Sequence, residues 1–190
     1  MSNAQTQTAA GTQTWQLDPA HSQVEFGVRH MMISTVKGHF PEVEGTIHLD
    51  EKDPAESSVE VSIDTASIDT RNEDRDNHLR SEDFFHVEKH PEIRFVSSAI
   101  EARGEDRYEV RGDLTIRGES REVVLDVERL GEGVDPWGNQ RFGFRGETRI
   151  NRKDFGLTWN QALEAGGVLV GDEVRITLEG QAVLSEEDGK

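Results

Sequence analysis

Cysteine is absent from this chain of 190 residues. That excludes disulfides, thiolate nucleophiles and thiolate metal sites. Positive charge is scarce. Lys and Arg number 21 against 38 Asp and Glu, only five of the 21 are Lys, and the formal charge is −17. Phosphate recognition needs clustered Lys and Arg, so this balance argues against nucleic acid or an anionic membrane as a general partner. It reads as a solubility surface. No apolar run approaches the ~18 residues of a membrane-spanning helix. The first 13 residues have neither a basic n-region nor an apolar h-region, so they do not read as a signal peptide. The expected location is cytoplasmic, and periplasmic or secreted only if a native signal was removed; Ser2-Asn3-Ala4 resembles a cloning remnant.

What is present is enough to fold. Leu, Ile, Val and Phe total 45 residues, about a quarter of the chain and above the ~20% below which a highly charged chain stays disordered. The length suits one domain with a sizeable core or barrel. Apolar residues recur with a period of two, the signature of half-buried strands. Val24, Phe26 and Val28 form one such face, followed by Val59, Val61 and Ile63, then Ile93 and Phe95. Leu114 and Ile116, Val123 to Val127, Phe142 and Phe144, and Val174 and Ile176 continue the series. Gly131-Glu132-Gly133 and Asp135 to Asn139 read as turns. A short helical turn is expected near Ala162. Residues 1–14 are expected as a disordered tail, 15–184 as the folded domain, and 185–190 as an acidic tail. About eight long strands with short turns and no βαβ rhythm point to a sandwich or an up-and-down barrel. Gly112 and Gly180 on apolar faces lower the filling volume and lean toward a cavity.

One segment breaks the strand rhythm. Arg71 to Phe95 packs Arg75, Asp76, His78, Arg80, His86 and His90 around Phe84 and Phe85. Asn72 or Thr70 is placed to cap a helix through Leu79, with acidic residues in its first turn. His86 and His90 are four apart, a spacing that would suit a metal on a helix face, but Pro91 disfavours helix there and no HExxH is present. Arg75 and Asp76 read either as an anchor for a helix at a barrel mouth or as a headgroup receptor. Asn151-Arg152-Lys153-Asp154 with Trp159 forms a second charged and aromatic cluster, in which Trp159 could cover an apolar opening. His21-Ser22 lacks the elbow of a nucleophilic triad; Asp18 and His21 read as turn residues.

Five phrases in order carry a resemblance: Trp15 to Ser22, Arg75 to Phe85, His90 to Phe95, Gly112 to Gly118, and Asn151 to Leu157. Together they resemble the YceI-like family of polyisoprenoid-binding proteins. The resemblance implies an all-β, extended eight-stranded antiparallel lipocalin-like barrel with a short helix between strands. It implies a long-chain lipid in an apolar tunnel, and a homodimer. It makes Arg75, Asp76, His78, Asn151, Arg152 and Asp154 the polar cluster near the mouth, with His30 beside them. Phe26, Val28, Phe84, Phe142, Phe144 and Trp159 complete the expected ligand-binding set. No catalytic residue, metal or cofactor is expected; the bound lipid is the ligand. The competing readings are an enzyme acting on such a lipid, with His30 or His78 beside Asp76 or Asp154, and a filled barrel serving as a dimeric interaction module.

Overall fold

The computed structural model describes residues 11–186. Its strands are β1 (Thr12–Leu17), β2 (Gln23–His30), β3 (Ser34–Phe40), β4 (Val43–Asp50), β5 (Ser58–Asp64), β6 (Glu92–Gly104), β7 (Arg107–Ile116), β8 (Glu119–Val134), β9 (Gln140–Asn151) and β10 (Val170–Leu184). The one α-helix among the described residues is α1 (Glu73–Arg80).

Ten segments occupy eight positions in a closed antiparallel ring. β1 and β2 are halves of one bent strand, because both lie on the same edge of β10. β1 pairs at Ala182 to Leu184 and β2 at Val170 to Glu179. β3 and β4 are halves of the next, β3 beside β2 and β4 beside β1. The ring continues from β5 to β10 and closes back onto β1. Local chemistry sets the bends. Asp18 accepts from the Ala20 N–H and caps the 3-10 turn Pro19–His21, where Pro19 has no N–H to extend the ladder. Pro41 breaks the next strand between β3 and β4 for the same reason.

Period-two alternation puts one face of every strand inside. Val24, Val61, Ile63, Phe95, Leu114, Ile116, Phe142 and Phe144 are buried there. β5 stops at Asp64 and β6 begins at Glu92, which leaves a gap in the wall beside β3. Residues 65–91 fill it. Asp69 and His39 exchange both backbone hydrogen bonds at 2.9 Å and extend the edge of β3 outward. α1 follows, capped by Asn72, whose Oδ1 accepts from the Arg75 N–H. The helix, the β2–β3 turn and residues 157–170 therefore share one end of the barrel, the helix end. The chain enters and leaves at the other, the termini end.

Four expectations are corrected. β1 begins at Thr12, so the last residues assigned to the N-terminal tail belong to the barrel; residues 1–10 and 187–190 lie outside the described residues. Gly131-Glu132-Gly133 is not a turn. Gly131 pairs with Gly143 and Gly133 with Arg141, after a bulge that the missing side chains allow. The helical turn expected near Ala162 forms instead at Arg152–Phe155, capped by Asn151 and ended by Gly156 at φ 74°; Ala162 bridges to Val168. Gly112 and Gly180 do not open space. A Cβ on Gly112 would sit 2.6 Å from the Phe95 ring, and one on Gly180 would sit 2.5 Å from Ser22 Oγ. These glycines admit neighbouring side chains to the wall rather than widening the interior.

Where β1 bends into β2, Arg141 bridges two carboxylates. Its Nη1 donates to Asp18 Oδ2 at 2.6 Å and its Nε to Asp135 Oδ2 at 2.7 Å. His21 Nδ1 also meets Asp18 Oδ2 at 2.7 Å. Arg141, and after it His21, holds the Asp18 carboxyl at about 2 instead of 3.8. Arg141 likewise holds Asp135 at about 2. A carboxylate depressed by folding stabilises above its unfolded pKa and loses that contribution as pH falls through the folded one. Urea unfolding across the acid range should therefore show stability falling between roughly pH 4 and pH 2, and Asp18→Asn should flatten that fall.

Candidate functional site

The inward faces do not fill the ring. A cavity of about 380 Å³ runs along the barrel, lined from every strand but β1, within the range of small-molecule sites. Its wall is almost wholly aliphatic and aromatic. Phe26, Val28, Val174, Ile176 and Leu178 point inward yet are only half-buried, because their remaining accessible surface faces this space. All seventeen residues of the alternating apolar face from Val24 to Ile176 line it, including the expected Phe26, Val28, Phe142 and Phe144.

At the helix end, three rings that line the cavity pack together. His78 stands edge-on to Phe84, with centroids 5.1 Å apart, and to Trp159 at 4.7 Å; Phe84 and Trp159 are 5.4 Å apart. His78 Nε2 meets Asp83 Oδ2 at 2.9 Å, which orients the imidazole across the opening. Arg117 donates to the Phe84 carbonyl at 2.7 Å and fixes that ring from the β7–β8 turn. Trp159 and Phe84 both line the cavity at this end.

The charged cluster divides into frame and lining. Asp76 is buried but faces away from the cavity. Its Oδ1 accepts from the Thr70 N–H at 2.9 Å and from the Thr70 hydroxyl at 2.5 Å. Arg75 lines the cavity while its Nε donates to Thr70 Oγ1 and its Nη2 to the Thr70 carbonyl, both at 2.7 Å. Arg80 donates to the carbonyls of Ala66 and Ile68 at 2.9 Å. These bonds strap α1 onto residues 65–70. Arg152, buried at the cavity wall, donates to the carbonyls of Leu157, Trp159, Val170 and Gly171 and gathers the whole 157–171 loop. Burial lowers its pKa, opposed by Asp172 at 3.9 Å.

Three expected ligand contacts are therefore corrected. Asp76, Asn151 and Asp154 do not line the cavity. Asp76 is taken up by Thr70, Asn151 caps the turn that carries Arg152, and Asp154 is exposed on the outer surface. His78 pairs with Asp83, so neither Asp76 nor Asp154 is a partner for acid–base work. His30 does reach the lining, and no hydrogen bond engages its ring among the described residues. Alternation could also have found Thr148 and Tyr108, which line the cavity with hydroxyls not hydrogen-bonded to described residues. At the termini end Arg129 continues the inward register of Val127. It lies 4.8 Å over the Phe142 ring and donates to Glu51 and Glu132 at 3.1 and 2.8 Å. No group of three or more metal-ligating side chains occurs among the described residues.

Residues 15–182 match the YceI-like domain. The chain belongs to the YceI-like family. It is 43% identical over 138 residues to a UPF0312 protein of Pectobacterium atrosepticum, covering 73% of this chain and 71% of the relative. It is 41% identical to the YceI protein of Escherichia coli over 137 residues, 72% and 71% of the two chains. Among solved structures, Burkholderia cenocepacia BcnA superposes with a TM-score of 0.76 at 27% identity, over 87% of this chain and 98% of that one. A polyisoprenoid binding domain from Saccharophagus degradans superposes with a TM-score of 0.65 over 90% and 98% of the chains; at 16% identity it shares the fold. For this YceI-like chain, Arg152→Ala should lower stability by about 3 kcal/mol or more, because four carbonyls lose one donor group. Asp76→Ala should cost about 2 kcal/mol. Denaturant titration with far-UV circular dichroism would measure both.

Proposed function

We propose that the protein is a non-enzymatic carrier or store for a long-chain isoprenoid or related amphiphilic lipid, such as a polyprenyl quinone, polyprenyl phosphate or fatty amide. The observation that carries this reading is the continuous apolar cavity along the barrel axis. A hydrocarbon tail placed there gains roughly 25 cal/mol per Å² of apolar surface withdrawn from water. The tail therefore supplies most of the affinity. Cavities lined this way stay dry when empty, so a tail displaces little ordered water. The polar end of the ligand is assigned to the helix end, where His30 and Thr148 offer atoms not bonded to described residues, while the Arg75 and Arg152 guanidinium groups are already bonded to backbone carbonyls. The Saccharophagus domain named for polyisoprenoid binding supports the ligand class through the shared fold.

The cavity favours a carrier over a filled barrel. An enzyme reading retains only the His78–Asp83 pair, and no Ser or Thr hydroxyl is hydrogen-bonded to His78 to act as nucleophile. A homodimer belongs to the proposal on the strength of the family resemblance, and light scattering is expected to give twice the 21.3 kDa of the chain.

Protein purified without denaturation should release a long-chain lipid on organic extraction, seen by mass spectrometry above a buffer control. Val28→Trp combined with Ile176→Trp places two indoles in the unfilled space and should reduce that lipid by about tenfold or more while the β circular dichroism is retained. Wild-type protein that yields no lipid would sink the carrier reading.

A further inference from the structure

The β2–β3 turn carries a contradiction. Met31 and Met32 sit at φ 53° and 58°, consecutive left-handed positions closed by the Ile33 N–H donating to the His30 carbonyl at 3.0 Å. Such a turn favours Asn-Gly, because L-residues with long side chains take this conformation at a cost. The chain has three methionines in all, and two of them are here. Neither belongs to the hydrophobic core. Met31 is 39% exposed, Met32 65% and Ile33 76%, and exposed Val168 stands on the adjoining loop. Local stability is given up at this point to present three large apolar side chains to the outside.

The surrounding charge is as unusual. In a chain with 38 acidic residues, no carboxylate occurs from Phe26 through Pro41, a stretch that carries Arg29 and Lys37. The adjoining loop from Phe155 to Gly171 contains Glu164 as its one acidic residue. The opposite end of the barrel is different. Its turns and strand ends carry Asp50, Glu51 and Asp53, then Glu105 and Asp106, then Glu132 in β8 and Asp135 after it. That end also exposes Leu130, Val134 and Trp137, but amid these carboxylates. The turn and the flanking stretch from Phe26 to Pro41 are thus locally relieved of negative charge, although residues 65–91 at the same end carry seven carboxylates from Asp69 to Glu88.

The turn is also the rim of the cavity. Val28, Arg29 and His30 line it from one side, and Leu169 and Val170 from the other. The Met31 N–H donates to the Leu169 carbonyl at 2.8 Å and joins the two.

We propose that the Met31-Met32-Ile33 turn docks on a lipid bilayer, so that the cavity mouth opens onto the membrane surface from which lipid is exchanged. The occupant is argued from charge and chemistry. Apolar side chains at a turn tip enter the headgroup and acyl boundary, and neighbouring Lys and Arg are drawn to anionic headgroups. The net charge of −17 opposes a general approach, and the carboxylate-free stretch around Arg29 and Lys37 is where an anionic surface meets the least repulsion. The docking role rests on the carrier reading above, and its test separates the two.

The full chain is mixed with vesicles of phosphatidylcholine alone, and of phosphatidylcholine with a minority of phosphatidylglycerol, and bound protein is measured by flotation. Lipid content after native purification and mass by light scattering are read on the same samples. Wild-type protein is expected to float with vesicles, more strongly with phosphatidylglycerol present at low salt. Met31→Asn with Met32→Gly should raise the melting temperature, since these residues suit the turn, and lower vesicle binding at least tenfold, since two apolar side chains are lost. Trp137→Glu should float as wild type does. The Asn-Gly variant should still carry extractable lipid. Wild-type protein that carries lipid but does not float overturns the docking proposal and leaves the carrier reading standing. Protein that floats through its methionines but yields no lipid sustains the docking and overturns the carrier reading. An Asn-Gly variant that floats undiminished overturns the proposal. So does one whose mass falls to half that of wild type, which assigns the turn to a second copy of the chain.

Discussion

The structure depends on the return of β1 onto β10. That pairing closes eight strand positions into a ring and uses the backbone hydrogen-bonding groups that an open sheet would leave at its edges. Once the ring is closed, one face of every strand has nowhere to point but inward. The period of two then places aliphatic and aromatic side chains around a common axis. Whether they meet is a matter of radius and residue size. Here β2 and β10 present residues such as Val28, Val174 and Ile176, which do not reach across, and the middle remains unfilled. An apolar void of this kind is a poor home for water and a good one for hydrocarbon.

The same closure explains the dense charge near the mouth. β5 is short, so the wall is incomplete beside β3, and a segment without strand structure has to complete it. Such a segment carries backbone carbonyls with no ladder to satisfy them. Guanidinium groups supply the donors. Arg75 bonds Thr70, Arg80 bonds Ala66 and Ile68, Arg117 bonds Phe84, and Arg152 alone gathers four carbonyls from 157–171. Buried charge is costly to leave unpaired, so these groups are held tightly by what they hold. They brace the barrel, and the atoms left to a ligand are the uncharged edges of the lining. The acidic surface is another consequence. With most apolar residues consumed by the inner face, the outer face is left to charged and polar side chains over most of its area.

Much of the fold was legible in the sequence. Alternation identified the inner face residue by residue, since side chains in a strand have only two directions to take. Asn72 or Thr70 announced the start of α1, of which Asn72 is the cap, and Asp18 the first bend, because capping is a local event between neighbours in the chain. Turn chemistry was less reliable. Gly131 and Gly133 carry turn residues but lie in β8, because a glycine that permits a turn also permits a bulge, and only the partner strand decides between them. Gly112 and Gly180 misled in the same way, since the space a glycine vacates belongs to whichever neighbour lies across from it.

By itself, the sequence determined the strand pattern, the identity of the apolar face, the interrupting helix and the exclusion of thiol chemistry. These follow from periodicity and composition, which act over a few residues. Tertiary structure alone decided that ten segments make eight barrel positions, that the inner face encloses space, and which of the clustered charges face it. Arg75 and Asp76 are neighbours in the chain, yet one lines the cavity and the other turns to Thr70. Facing and filling are set by the distance between strands that meet only on closure, and local pattern does not record that distance.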